Sequence, residues 1–273
     1  MTSILALDPA WTATEPSGVA LLHQVKDRWK CVGLAPSYSQ FVELANGTPV
    51  DWMNKVPSAG RPDVDALMGA AKSLLGGEGV DLVTIDMPVA LTAIHKRREA
   101  DSAVSQKFGS KGCSTHSPSD VRPGEIGSQL TERFKELGYP VATVETPVGS
   151  TYVLAEVYPH PALLQLLGKD FRYKYKISRA NEYWPEKSAA DRRRRIVKNW
   201  RKIIDELSLT INKIEVPLPG KAELENAAST SLKRFEDAID ALIGGWVGIK
   251  YLEGDCTAYG DESAAIWIPP KTA

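Results

Sequence analysis

Four apolar residues run straight into a carboxylate and a proline at Ile4-Leu5-Ala6-Leu7-Asp8-Pro9. An uninterrupted apolar run of this length, closed by a turn signal, predicts a strand buried on both faces. The construction returns at Leu82-Val83-Thr84-Ile85-Asp86-Met87-Pro88, and residues 151–159 predict another buried strand, with Glu156 near its end. Residues 17–22 and 28–34 read as strands close enough in sequence to pair as antiparallel hairpins with the first, giving an opening meander of three. Residues 62–75 carry Val64, Leu67, Met68, Ala71, Leu74 and Leu75 on one helical face and stop at Gly76-Gly77. This helix leads into the Leu82 strand, so the crossover makes that strand parallel to the first.

Elsewhere the pattern is less even. Residues 41–59 have little periodicity and predict a loop with at most one helical turn. Within the irregular stretch 87–128, residues 95–101 look helical, whereas 102–128 are rich in Ser, Gly, Lys and Pro. A loop of that length in a compact domain is usually functional or mobile. Ile126, Leu130, Phe134 and Leu137 mark a helix ended by Gly138, residues 141–145 predict a short strand, and 161–167 a short helix with Pro first and Gly after. Ser188 to Asp191 fits a capping box, followed by the stripe Ile196, Trp200, Ile203, Ile204 and Leu207. The last long helix, 231–252, has a bulky stripe of Phe235, Ile239, Leu242 and Trp246 and a second stripe of Ala241, Gly244 and Gly248, with Asp237 in line and Asp240 beside it. Small residues permit close backbone approach, so this side is expected to lie against another element with its acids at the mouth.

Composition narrows the class. Hydrophobic residues at 43% and charged residues at 25% exclude extended disorder and argue against membrane spans. No basic segment followed by a long apolar run opens the chain, so no secretory signal is expected. Three scattered cysteines, Cys31, Cys113 and Cys256, point to reduced thiols and a cytoplasmic setting. Cys113 and His116 lack the second pair that a zinc site needs. The net charge of −1 hides an asymmetry, because residues 169–202 hold 13 Lys and Arg against 4 Asp and Glu. Arg192 and Arg193 fall at the start of the capped helix, where cations oppose the helix dipole. An anionic ligand would explain them, and a solvated, salt-bridged face is the ordinary alternative.

A carboxylate at the end of a buried strand must be paired, hydrogen-bonded, protonated or bound to a cation. Parallel neighbours would bring Asp8 and Asp86 to one sheet edge, where open α/β sheets place their sites. With Glu156, Asp237 and Asp240 the set is all carboxylate, without His or Cys, which is ligand chemistry for Mg²⁺ or Mn²⁺. The plainer alternatives are that each strand acid only opens a turn, and that Glu236, Asp237 and Asp240 only favour the positive end of their helix.

The meander with an Asp on its first strand, the crossover to an acid-bearing strand and the acids on a late helix resemble the ribonuclease-H-like superfamily. Leu7-Asp8-Pro9 followed by Ser17-Gly18 looks like the opening of Holliday-junction resolvases. The combination of Asp8, Ser17-Gly18, Ile85-Asp86-Met87-Pro88, Arg98 with Asp101, Glu156-Val157-Tyr158-Pro159, Asp237 to Ala241 and Ile266 to Pro269 is similar to a family of unknown function, domain of unknown function 429, described as predicted ribonuclease-H-like nucleases. The resemblance implies one α/β domain over 1–273, with a ribonuclease-H-like mixed sheet (antiparallel three-strand meander plus parallel strands) flanked by helices. Insertions would fall at about 89–128, irregular, and about 169–210, basic and helical. It further implies a nuclease that hydrolyses phosphodiester bonds of DNA or RNA with two Mg²⁺ or Mn²⁺ ions. Asp8 would bridge the ions, Asp86 with Asp237 or Asp240 would complete the metal ligands, and Glu156 would ligate or support the attacking water. Arg98 and the basic segment, with Arg192 and Arg193, would hold phosphates, and Tyr173, Tyr175, Tyr183 or Trp184 would stack bases. Ala10-Trp11 stands where the resolvase-like opening is richer in glycine, and the chain as a whole is not basic. Two rivals share the core: an actin-like ATP-dependent phosphotransferase, which needs a glycine-rich phosphate turn that residues 9–12 lack, and a non-catalytic binding protein using the basic segment.

Overall fold

In the computed structural model, which describes residues 2–270, a mixed sheet runs through the middle of the chain. Met1 and 271–273, part of the expected domain, lie outside the described residues. β1 (Ser3–Asp8), β2 (Gly18–Val25) and β3 (Arg28–Ala35) form the antiparallel meander. α1 (Tyr38–Ala45) and α2 (Val64–Leu74) cross over to β4 (Leu82–Ile85), parallel to β1 with Leu7 opposite Ile85. α3 (Glu99–Phe108) and α4 (Glu125–Glu136) precede β5 (Val153–Val157), parallel to β4 with Ile85 opposite Glu156. α5 (Pro159–Leu166), α6 (Ala180–Tyr183) and α7 (Ala189–Leu207) lead to the two-residue β6 (Ile211–Asn212) beside β3. α8 (Lys221–Asn226) and α9 (Ser229–Leu252) lead to the hairpin β7 (Thr257–Gly260) and β8 (Ala265–Ile268). The order across the sheet is β6-β3-β2-β1-β4-β5-β8-β7, so the strand carrying Asp8 is central.

The apolar run of β1 is unbroken because both its faces are covered. Ile4 and Ala6 join the core beneath α7 and α9, while Leu5 and Leu7 join the one beneath α1, α2 and α4. Asp8 continues the Ile4-Ala6 series, which turns it toward α9. The small stripe of α9 lets that helix settle directly on the sheet. A Cβ on Gly248 would come 2.9 Å from the Thr84 methyl and 3.0 Å from Ile4.

Several local expectations change. Residues 41–59 begin inside a full helix, α1, started by Ser37 accepting from Gln40 N–H and anchored by buried Phe41. The helix expected at 95–101 starts at Glu99, because the Arg98 backbone N–H donates to the Asp101 carboxylate and fixes the N-terminus there. Residues 141–145 make a single bridge from Val141 to Leu154 before Thr143 N–H turns back onto Thr146 Oγ1, so no strand forms. No helix among the described residues is long and apolar enough to cross a membrane.

Candidate metal centre

Asp8 leaves the end of β1 on the α9 side, and α9 meets it with Asp237 and Asp240 one turn apart. One carboxylate oxygen from each of the three lies within 4.8 Å of the others. Gly18, paired with Asp8 across the β1–β2 hairpin, makes this possible by leaving room for the α9 backbone. Asp86 follows β4 in the same parity and lines the same cleft. It stays outside the group of three, although its charge is felt by Asp8.

Two lysines enter the cluster. Lys176 Nζ lies 2.5 Å from Asp240 Oδ2 and 3.6 Å from Glu236 Oε1, and Tyr175 Oη donates to Asp240 Oδ1 at 2.7 Å. Lys233 Nζ donates to Asp237 Oδ1 and lies 3.2 Å from Glu236 Oε1. Glu236 also accepts from Ile177 N–H. Asp237 Oδ2, in a residue only 2% exposed, has no hydrogen-bond partner. An unsatisfied buried carboxylate oxygen beside two other carboxylates is a donor set that fits a hard divalent cation. Removal from water is the largest influence on these acids. It raises Asp86 to about 8 against the pull of Lys176, and Asp237 to about 7 against that of Lys233. Asp8 is raised well above the usual range by burial and then by Asp240 and Asp237.

The other expected site residues go elsewhere. Glu156 follows Leu154 in parity, and Leu154 belongs to the core on the side away from α9. Its carboxylate accepts from both terminal nitrogens of Arg98, at 2.6 and 2.7 Å, and from Val89 N–H at 2.9 Å. Arg98, expected on phosphate, spends its remaining N–H groups on Asp101 and the Val89 carbonyl, so all five donors are used inside the protein. Arg193 donates to the carbonyls of Leu224 and Glu225, and Arg192 reaches those of Trp184 and Pro185 at 3.5 Å. These contacts tie α7 to its neighbours, and neither arginine lines the cleft. Tyr173 donates to Asn199 away from the cleft, while Tyr175 is fully buried against Asp240, with no free face for a base.

Above the carboxylates opens a cleft of about 870 Å³. Its walls carry Arg122, Arg172 and Arg179, with Trp11 from the β1–β2 loop. The Arg122 guanidinium lies 5.7 Å from the Trp11 ring centre. Arg172 donates to His160 Nε2 at 2.5 Å, and His160 is held well below its usual pKa by burial and then by Lys176 and Arg172. Lys233 and Glu236 are within reach of helical spacing, four positions before Asp237 and Asp240 respectively; Lys176, Arg122 and Arg172 arrive from distant segments that no local pattern connects.

Residues 19–264 match the family described as "Protein of unknown function (DUF429)". No curated protein and no solved structure matches the chain.

Proposed function

We propose that this chain, which belongs to the DUF429 family of proteins of unknown function, is a divalent-metal-dependent hydrolase that cuts phosphodiester bonds of nucleic acid. The observation that carries the reading is the meeting of Asp8, Asp237 and Asp240 around an unpartnered buried oxygen, beneath a wall of arginines. Asp8, Asp237 and Asp240 would hold Mg²⁺ or Mn²⁺, which when bound polarises a phosphoryl oxygen and lowers the pKa of a bound water. Asp86 faces the same space, and a carboxyl pushed up to about 8 suits a group that takes or returns a proton near neutral pH. Arg122, Arg172 and Arg179 would grip phosphates, where guanidinium geometry matches paired oxygens. The cleft volume falls within the roughly 300–1,000 Å³ of small-ligand sites, suiting one or two nucleotides of a single strand. Against an ATP-dependent phosphotransferase stands the β1–β2 turn, where Ala10 N–H is already donated to Ser17 Oγ.

The test is Mn²⁺-dependent cleavage of labelled single-stranded DNA and RNA, beside an anomalous-scattering map of a Mn²⁺-soaked crystal. Asp8→Asn and Asp237→Asn are expected to keep the fold and lose cleavage by on the order of 10²-fold or more. Equal cleavage by wild type and both variants would overturn the reading.

A further inference from the structure

We propose that Lys176 takes the place of one of the two cations expected at this centre, so that the site holds a single divalent ion. The inference rests on the metal-dependent reading above and changes its stoichiometry. A pair of ions in such a site would lie ~3.5–4 Å apart and share a carboxylate. Here the ground beside the Asp8-Asp237-Asp240 group is already held by an ammonium. Lys176 Nζ sits 2.5 Å from Asp240 Oδ2, in hydrogen-bond contact, and 3.6 Å from Glu236 Oε1. Glu236 and Asp240 are four positions apart on α9, so they bracket the ammonium from one helix face.

The position of Lys176 is built. Tyr175, next to it in the chain, is fully buried and donates to the other oxygen of Asp240. Trp200 Nε1 donates to the Tyr175 carbonyl, and Ile177 N–H donates to Glu236, so the backbone on both sides of Lys176 is pinned. Lys176 and Asp86 line the same cleft. The ammonium, held against α9 by Asp240 and Glu236, takes the ground beside Asp240 that a second ion would need. Lys233 differs, because its side chain is 40% exposed and, beside its contact with Glu236, it holds only one of the two Asp237 oxygens, Oδ1. The other, Oδ2, has no hydrogen-bond partner and is the oxygen offered to the first ion.

The charge count permits a single ion. Five carboxylates, Asp8, Asp86, Glu236, Asp237 and Asp240, interact with the ammonium groups of Lys176 and Lys233, and with all five ionised one divalent ion would offset most of the excess negative charge. A fixed ammonium can do one task of the missing ion, offsetting charge on a phosphoryl group, while leaving water activation to the ion that is bound.

Mn²⁺ titration of the full-length protein, read by calorimetry and electron paramagnetic resonance, counts the ions without relying on turnover. Wild type is expected to bind one equivalent, with no exchange-coupled manganese pair. Lys176→Ala, which removes the charge and opens its space, is expected to bind two. Lys176→Gln, which keeps most of the length, serves as the second variant. Two equivalents in the wild type would overturn the inference and leave the metal-dependent reading standing. One equivalent in the wild type and in both folded variants would also overturn it, because the lysine would then not be what limits the count. No binding by any form would sink the metal-dependent reading itself. Should neither variant fold, the wild-type count decides, one equivalent supporting and two refuting.

Discussion

The carbonyl carbon of Asp237 lies 2.5 Å from where a Cβ on Gly18 would stand, so the hairpin position that faces the helix acid has room for glycine alone. The obstacle is backbone, not the far end of a flexible side chain. Gly18→Ala must therefore push α9 off the sheet at the point where it delivers Asp237 to Asp8. The expected cost is about 1–3 kcal/mol in denaturant unfolding, with Mn²⁺ affinity lowered at least about tenfold. Gly69→Ala is the control. Nothing lies near its would-be Cβ within α2, so it should leave Mn²⁺ affinity unchanged and raise stability by up to about 1 kcal/mol.

Arg98 is predicted to act as a strut. Arg98→Met would leave Glu156 and Asp101, 4% and 1% exposed, without their cation. Breaking a buried pair from one side costs about 3–5 kcal/mol. Urea unfolding should register that loss, while the folded fraction keeps its Mn²⁺ affinity. Unchanged stability with a raised KM would instead return Arg98 to a role on substrate phosphate.

How much of this was legible follows from parity and distance. Asp8 and Asp86 could be read because each ends an apolar run and parallel strands finish together. Glu156 shares the run but not the face. In strands buried on both sides every position is apolar, so the sequence does not say which face an acid will take, and the register sets Glu156 opposite Ile85 rather than Asp86. The charge run 192–195 announced cations without naming their partners, which turned out to include carbonyls of the chain's own neighbouring turns. Lys176 left no trace, since 64 positions separate it from Asp240. The strands after α9 and the two-residue β6 were too short for a period to declare itself.

The metal-free protein should lose stability as pH rises from about 6.5 to about 8. Asp237 and Asp86 are raised to about 7 and about 8, so across this window the folded chain still holds protons that the unfolded chain has released. Stability falls wherever the unfolded state binds fewer protons. Below about 6.5 the lowered pKa of His160 works in the opposite direction, which confines the clean window. Mn²⁺ needs deprotonated ligands, so its affinity should climb through the same interval, with proton release visible by calorimetry in two buffers. Thermal melts from pH 6.5 to 8 that rise without metal would contradict the assignment of these acids.

The last prediction sets the cleft against the basic helix as the path of the substrate. Arg122 and Arg179 line the cleft, whereas Arg193 is bound to the carbonyls of Leu224 and Glu225 outside it. Each phosphate contact to a single strand contributes about 0.7 to the slope of log affinity against log salt. Arg122→Ala and Arg179→Ala should each reduce the slope by about that amount and raise KM, with kcat little changed, because these groups hold substrate away from the carboxylates. Arg193→Ala should leave the slope alone and lower the melting temperature, because two carbonyl acceptors lose their donor. The reverse pattern, a reduced slope for Arg193→Ala with none for Arg179→Ala, would move the strand out of the cleft and onto α7. A nuclease centred on Asp8 would then have to draw its substrate in from the side, past Lys233, rather than through the arginine wall.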